Sequence, residues 1–161
     1  NDEGGILAHF SATYALDESN FIDFGESNNL EKKDNRRYIK MHGRKIYEFA
    51  LNHVPDAMKT CLEQSGYGID DVKMIFIHQA NEKMDEAIIN RFYKLFDKPT
   101  PKGIMPMSIN ELGNSSVATI PTLYDMVLNH KLEGYSVQKG DLVIFASVGA
   151  GMNINSIVYK I

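Results

Sequence analysis

Four short stretches of the chain carry near-continuous or alternating apolar residues of strand length. They are GGILAHFSATYAL after a glycine pair, DVKMIFIHQ, DLVIFASV and MNINSIVYKI. KGIMPMSI adds a fifth, shorter strand candidate. Between them the apolar period changes to that of a helix. Ile46, Phe49, Ala50, Val54, Ala57, Cys61 and Leu62 form one stripe from Arg44 to Gln64, and the glycines of SGYG stop it. Pro55 lies inside that stripe and predicts one helix bent near His53. Met84, Ile88, Phe92 and Leu95 mark a second helix, with Asn81 as its N-cap. A third follows ELGNSS, with Ser115 or Ser116 to cap it. From Val117 to Leu123 it is apolar nearly all round, which predicts packing on more than one side. The order β-α-β-α-β-α-β-β predicts an α/β domain: a mostly parallel five-stranded sheet, helices on both faces, and an antiparallel C-terminal hairpin.

Residues 17–37 break the pattern and predict a long polar loop within one domain, 1–161. Its acidic residues come first, and Lys32, Lys33, Arg36, Arg37, Lys40, Arg44 and Lys45 follow. A solvated face is the ordinary reading of such a run.

Composition narrows the function. The chain has 161 residues, 43% of them apolar, enough for one core. A formal charge of −4 argues against nucleic acid or an anionic membrane as a whole-surface partner. No apolar run approaches membrane-spanning length, so a soluble cytoplasmic location is expected. The five histidines show no ligand spacing, and one cysteine permits neither an internal disulfide nor a cysteine-based zinc site. No metal or cofactor is expected. Cys61 sits on an apolar stripe and reads as a packed thiol. The chain opens NDEGG without methionine, as a processed or excised piece would.

Polar residues cluster where strands lead into turns and helices: HQAN after the second long strand, LGNSS, and VGAGM after the next. In open α/β sheets, sites form at the carboxyl ends of strands. His78 offers a ring donor, Asn114 an amide donor, and Gly149, Ala150 and Gly151 backbone N–H groups. Neutral donors aimed at one point suit a developing oxyanion. Singly each has an ordinary explanation, in a structural histidine, an asparagine turn or a glycine hairpin. Their coincidence at one sheet edge favours a site.

These motifs, HQAN after a strand, GNSS before a helix and VGAGM in the last hairpin, resemble the C-terminal half of 3-oxoacyl-acyl-carrier-protein synthase III, in the thiolase-like superfamily. MHGRKIYEFA resembles that family's helix at the same place, and the resemblance runs from Ile6 to Ile161. It implies acyl-thioester condensation with malonyl-acyl-carrier-protein after acyl transfer from acyl-coenzyme A. His78 and Asn114 would stabilise the enolate, and Ala150 N–H would share an oxyanion hole. Gly43, Tyr47 and Asn81 would line the pantetheine tunnel. Gln79, Ala80, Asn81, Glu82 and Lys83 would meet acyl carrier protein, with Lys83 at the basic position. It also implies a homodimer at full length. The family's nucleophilic cysteine belongs to an N-terminal half with no counterpart here, so this chain alone is expected to be inactive in condensation. MNIN replaces the family's FTWG after the glycine turn. The alternative is a non-catalytic coenzyme A or carrier-protein binding module of the same fold.

Overall fold

The computed structural model describes residues 4–32 and 35–161. Four strands form the main sheet in the order β1-β6-β5-β4: β1 Gly5–Thr13, β6 Asn153–Lys160, β5 Leu142–Gly149 and β4 Val72–Ile77. β4 and β5 pair in parallel, whereas β6 runs antiparallel to both of its neighbours, β5 and β1. β1, β4 and β5 therefore point the same way. The expected mostly parallel, five-stranded sheet is corrected to a mixed sheet of four strands. The last strand folds back between β1 and β5, leaving a single parallel ladder. KGIMPMSI forms no strand. It meets β4 through the Ile75 N–H to Ile104 carbonyl bond (2.8 Å), and Pro106 has no N–H to extend a ladder.

Helices cover both faces, as the pattern predicts. β4 and β5 show why: Ile75, Ile77, Ile144 and Ala146 face one core, and Met74, Phe76 and Val143 the other. The first core is closed by α1 (Gly43–Ser65) and α2 (Glu82–Lys94). The second is closed by α4 (Thr119–Leu128), which contributes Leu123 and Val127.

α1 runs as one helix through Pro55. Proline cannot donate to the carbonyl four residues back. That carbonyl, on Leu51, accepts instead from the Arg91 guanidinium of α2 (2.9 Å), which also holds Asn52 Oδ1 (2.8 Å). Further along, Lys59 reaches the Leu95 carbonyl at 3.4 Å. Contact positions rise together on the two helices, so α1 and α2 run in the same direction and start at the same end of the molecule.

The 17–37 stretch is less irregular than a polar loop. It holds a 3₁₀ turn (Ser19–Phe21) and β2 (Ile22–Gly25), which pairs antiparallel with β3 (Tyr38–Met41). Ile22 and Phe24 alternate with polar residues there, a strand signal too short to stand out. Of the basic run, Lys33 lies outside the described residues.

Val117 also departs from expectation. It is 91% exposed, in a 3₁₀ turn (Ser116–Ala118) ahead of α4. α4 itself buries only Thr119, Leu123 and Val127, a single stripe. Its other side, with Ile120, Pro121 and Tyr124, overhangs Phe145 of β5 and Ile157 of β6, leaving an open apolar groove of about 310 Å³.

Candidate active site

Strand direction gathers the candidate residues. β1, β4 and β5 all end at one edge, and α2 leaves β4 through residues 78–81. The Tyr14 N–H donates to the Met152 carbonyl (3.1 Å), tying the end of β1 to the turn after β5. Because α1 starts where α2 starts, Gly43 and Tyr47 share that end with His78 and Asn81.

His78 is half-buried directly after β4, and its N–H donates to the Ala146 carbonyl of β5 (3.0 Å). Burial pushes its imidazole below the usual histidine range, while the Ser116 main chain draws it the other way. Burial thus favours the neutral ring. Asn114, which is exposed, accepts the Ser116 N–H through Oδ1 (2.9 Å). Ser116 links the two: its N–H donates to Asn114 Oδ1, and its main chain acts on the His78 ring. The serine has φ 56°, a conformation costly for an L-residue. Thr119 Oγ1 donates to its carbonyl at 2.8 Å, which helps to hold it there. Neither Ser115 nor Ser116 caps α4 with its side chain; Asn114 does the equivalent work one turn earlier.

The β5–β6 turn is short, from Ala150 to Met152. Gly151 (φ 73°) and Met152 (φ 50°) are left-handed, and the fully buried Met152 side chain pins the turn to the core. Asn153 Nδ2 holds the Ala150 carbonyl (2.9 Å). Asn155 accepts from Ser11 of β1 (2.7 Å), so the MNIN departure makes polar cross-strand pairs.

Gly43 and Gly149 have an unusual property. Among the described glycines, only these two have neither a left-handed φ nor any atom that an added Cβ would approach within 4 Å. Nothing among the described residues requires glycine at either position, and both lie at this end.

Asn81 caps α2 as expected, Oδ1 accepting the Met84 N–H at 3.3 Å. Glu82 and Lys83 are exposed in the first turn, and Ala80 is half-buried against the core. Gln79 cannot serve as a carrier contact. It is fully buried, donating to the Pro106 carbonyl (2.9 Å) and accepting the Ser108 N–H (2.9 Å). A strand-end amide can satisfy a donor and an acceptor at once, and the 106–108 segment needs both. The pattern hid this, because a polar residue after a strand reads as exposed.

Cys61 lies on the buried face of α1, fully covered, with Sγ 3.3 Å from the Ser156 carbonyl. Burial raises its thiol pKa. No group of three or more metal-ligating side chains occurs among the described residues, nor does a helix long and apolar enough to cross a membrane.

Residues 62–161 match the family model described as 3-oxoacyl-(acyl-carrier-protein) synthase III, C terminal. The chain belongs to this family. The 3-oxoacyl-(acyl-carrier-protein) synthase III resemblance extends to curated proteins named beta-ketoacyl-(acyl-carrier-protein) synthase III. That of Porphyra umbilicalis is 34% identical over 122 residues, covering 76% of this chain and 34% of the relative. That of Lactobacillus delbrueckii is 36% identical over 114 residues, or 71% and 33%. In fold, the synthase III structure from Thermus thermophilus matches with a TM-score of 0.82 at 19% identity, over 100% of this chain and 47% of that one. The Aquifex aeolicus structure gives 0.78 at 23%, over 100% and 46%. The chain thus spans about a third of the curated relatives and under half of the solved chains.

Proposed function

We propose that this chain is the enolate-stabilising C-terminal half of a condensing enzyme that joins an acyl thioester to malonyl-acyl-carrier-protein with loss of carbon dioxide, in fatty-acid or related biosynthesis. The observation that carries the reading is the meeting of the His78 and Asn114 loops at Ser116. Decarboxylation of a malonyl thioester leaves a carbanion whose charge moves onto the thioester oxygen. A neutral imidazole N–H and the Asn114 amide would donate to that oxygen in the transition state, where such donors contribute most. A neutral ring donates from one nitrogen only. The role therefore needs the tautomer whose N–H faces the substrate and not Ser116.

Gly149–Gly151 would offer the Ala150 N–H to the second oxyanion, formed when the carbanion attacks the acyl thioester. Gly43, beside which a Cβ would meet nothing among the described residues, suits close approach by a pantetheine arm along α1, with Tyr47 and Asn81 beside it. Lys83 is the exposed cation for an acidic carrier protein. The buried Cys61 is unsuited to be the nucleophile, so the thiolate would come from a further half. The open groove under α4 supports that view, since it leaves one side of the helix uncovered. The full protein would act in the cytoplasm as a homodimer without metal or cofactor.

The test separates the two chemical steps in the full-length polypeptide carrying this segment. His78→Ala and Asn114→Ala should each slow condensation by ~10²-fold or more while acyl transfer to the nucleophile proceeds. Equal loss of both steps would assign the residues to folding or acyl binding, and no loss would remove them from the site.

A further inference from the structure

Asp85 has no part in the chemistry above. It lies on α2 one turn after Asn81, and its own N–H donates to the Asn81 carbonyl at 3.0 Å. Its side chain is fully buried, and neither carboxyl oxygen has a hydrogen-bond partner. A buried carboxylate without donors is strongly disfavoured, so such a group calls for a reason. One main-chain donor acts on it, the Asn81 N–H. It draws on the carboxyl but falls short of hydrogen-bond geometry. That amide belongs to the loop carrying His78.

Among the described residues, no opposite charge acts on the Asp85 carboxyl. On α2 itself, Glu82 repels a charge at Asp85. The helix packed along α2 turns Ile46, Phe49, Ala50 and Val54 inward. Its ionisable residues at this end are exposed, Arg44 pairing with Glu48 and Lys45 standing over the Phe21 ring. From the 100–105 segment, Lys102 is exposed.

We propose that Asp85 is a proton-operated positioning residue for the 78–81 loop. Neutral, it packs beneath the loop as an uncharged plug; ionised, it closes onto the Asn81 N–H and resets the loop that holds His78 and Asn81. Release of the proton to solvent is the only chemical step. A carboxylate near a helix N-terminus gains from the helix dipole, and a charge-assisted hydrogen bond to Asn81 adds to it. Burial lifts the carboxyl pKa to about 7, which puts the transition at neutral pH. The inference concerns the loop itself and needs no substrate. Only its consequence for catalysis rests on the proposed function.

The test follows the Asn81 backbone amide by ¹⁵N NMR on the 161-residue chain, from about pH 5.5 to about pH 8.5. The expected result is a downfield proton shift with one inflection near neutrality, lost in Asp85→Asn and Asp85→Leu and kept in His78→Gln. A flat profile in the parent chain overturns the inference. So does an inflection that survives in either Asp85 variant, or one that disappears with His78. If one Asp85 variant fails to fold, the other still decides.

Discussion

Asn114 holds the Ser116 N–H through Oδ1 at 2.9 Å, which commits its oxygen and leaves its amide nitrogen as the group available to a ligand. Asn114→Asp separates the two roles. The aspartate can still accept from Ser116, but it loses the donor and sets a negative charge against a developing oxyanion. We expect thermal stability within about 0.5 kcal/mol of the parent and condensation in the full-length polypeptide down by at least ~10²-fold. Parallel thermal and single-turnover measurements check this. Unchanged turnover would show that the amide nitrogen faces no reacting atom.

Arg91 and Leu51 make a second exchange of this kind. Pro55 leaves the Leu51 carbonyl without its helical donor, and Arg91 replaces it. Arg91→Ala should destabilise the chain by ~1.5–3 kcal/mol, the range for a bond to a charged group. Arg91→Lys should recover part of that. Restoring the helical donor with Pro55→Ala should make the chain less sensitive to Arg91→Ala. Chemical denaturation of the four variants forms a double-mutant cycle, and additive effects would contradict the repair.

Two buried groups should act on stability in opposite senses between pH 3.8 and about 7. The Asp85 carboxyl is raised from 3.8 to about 7 in the folded chain. The native state therefore binds the extra proton between those values, and stability is lost as pH rises through them. At ~1.4 kcal/mol for each pH unit over which the two states differ by one proton, the loss is a few kcal/mol. His78 works in the opposite sense. Its folded pKa lies below 6.5, so stability is lost as pH falls through the window beneath that value. Asp85→Asn should remove the loss between pH 3.8 and about 7 and so raise the melting temperature above pH 7. A variant less stable than the parent at pH 8 would contradict this.

Cys61 should not accept an acyl group. Its sulfur is covered, its pKa is raised, and it lies late in α1, away from that helix's N-terminus. Intact mass spectrometry after incubation with acetyl-coenzyme A should return the unmodified mass. A stable acetyl adduct at Cys61 would place a nucleophile in this chain.

The sequence revealed the site's components better than their surroundings. Strand-length apolar runs located β4 and β5, and their ends marked His78 and the glycine turn. Asn81 was legible as a cap because its spacing to Met84 and Ile88 is local. The burial of Gln79 was not, since it depends on Pro106 and Ser108 more than 25 positions away. The same holds for Asp85, whose i+4 spacing to Asn81 and Ile89 places it on the inner face, though a charged residue there reads as solvated. Sheet order also escaped the pattern. Alternation fixes which face a residue takes, but not that β6 inserts between β1 and β5.

The central claim is that His78 and Asn114 act on one ligand atom. Titration of the isotope-labelled chain with malonyl-coenzyme A, followed by NMR at the His78 ring nitrogens and the Asn114 side-chain amide, tests it most directly. The account predicts that both signals move together with one saturation curve, that the His78 ring keeps its neutral form, and that Asn114→Ala weakens the response at His78. Movement at one residue without the other, or at neither while the ligand binds elsewhere, would contradict it.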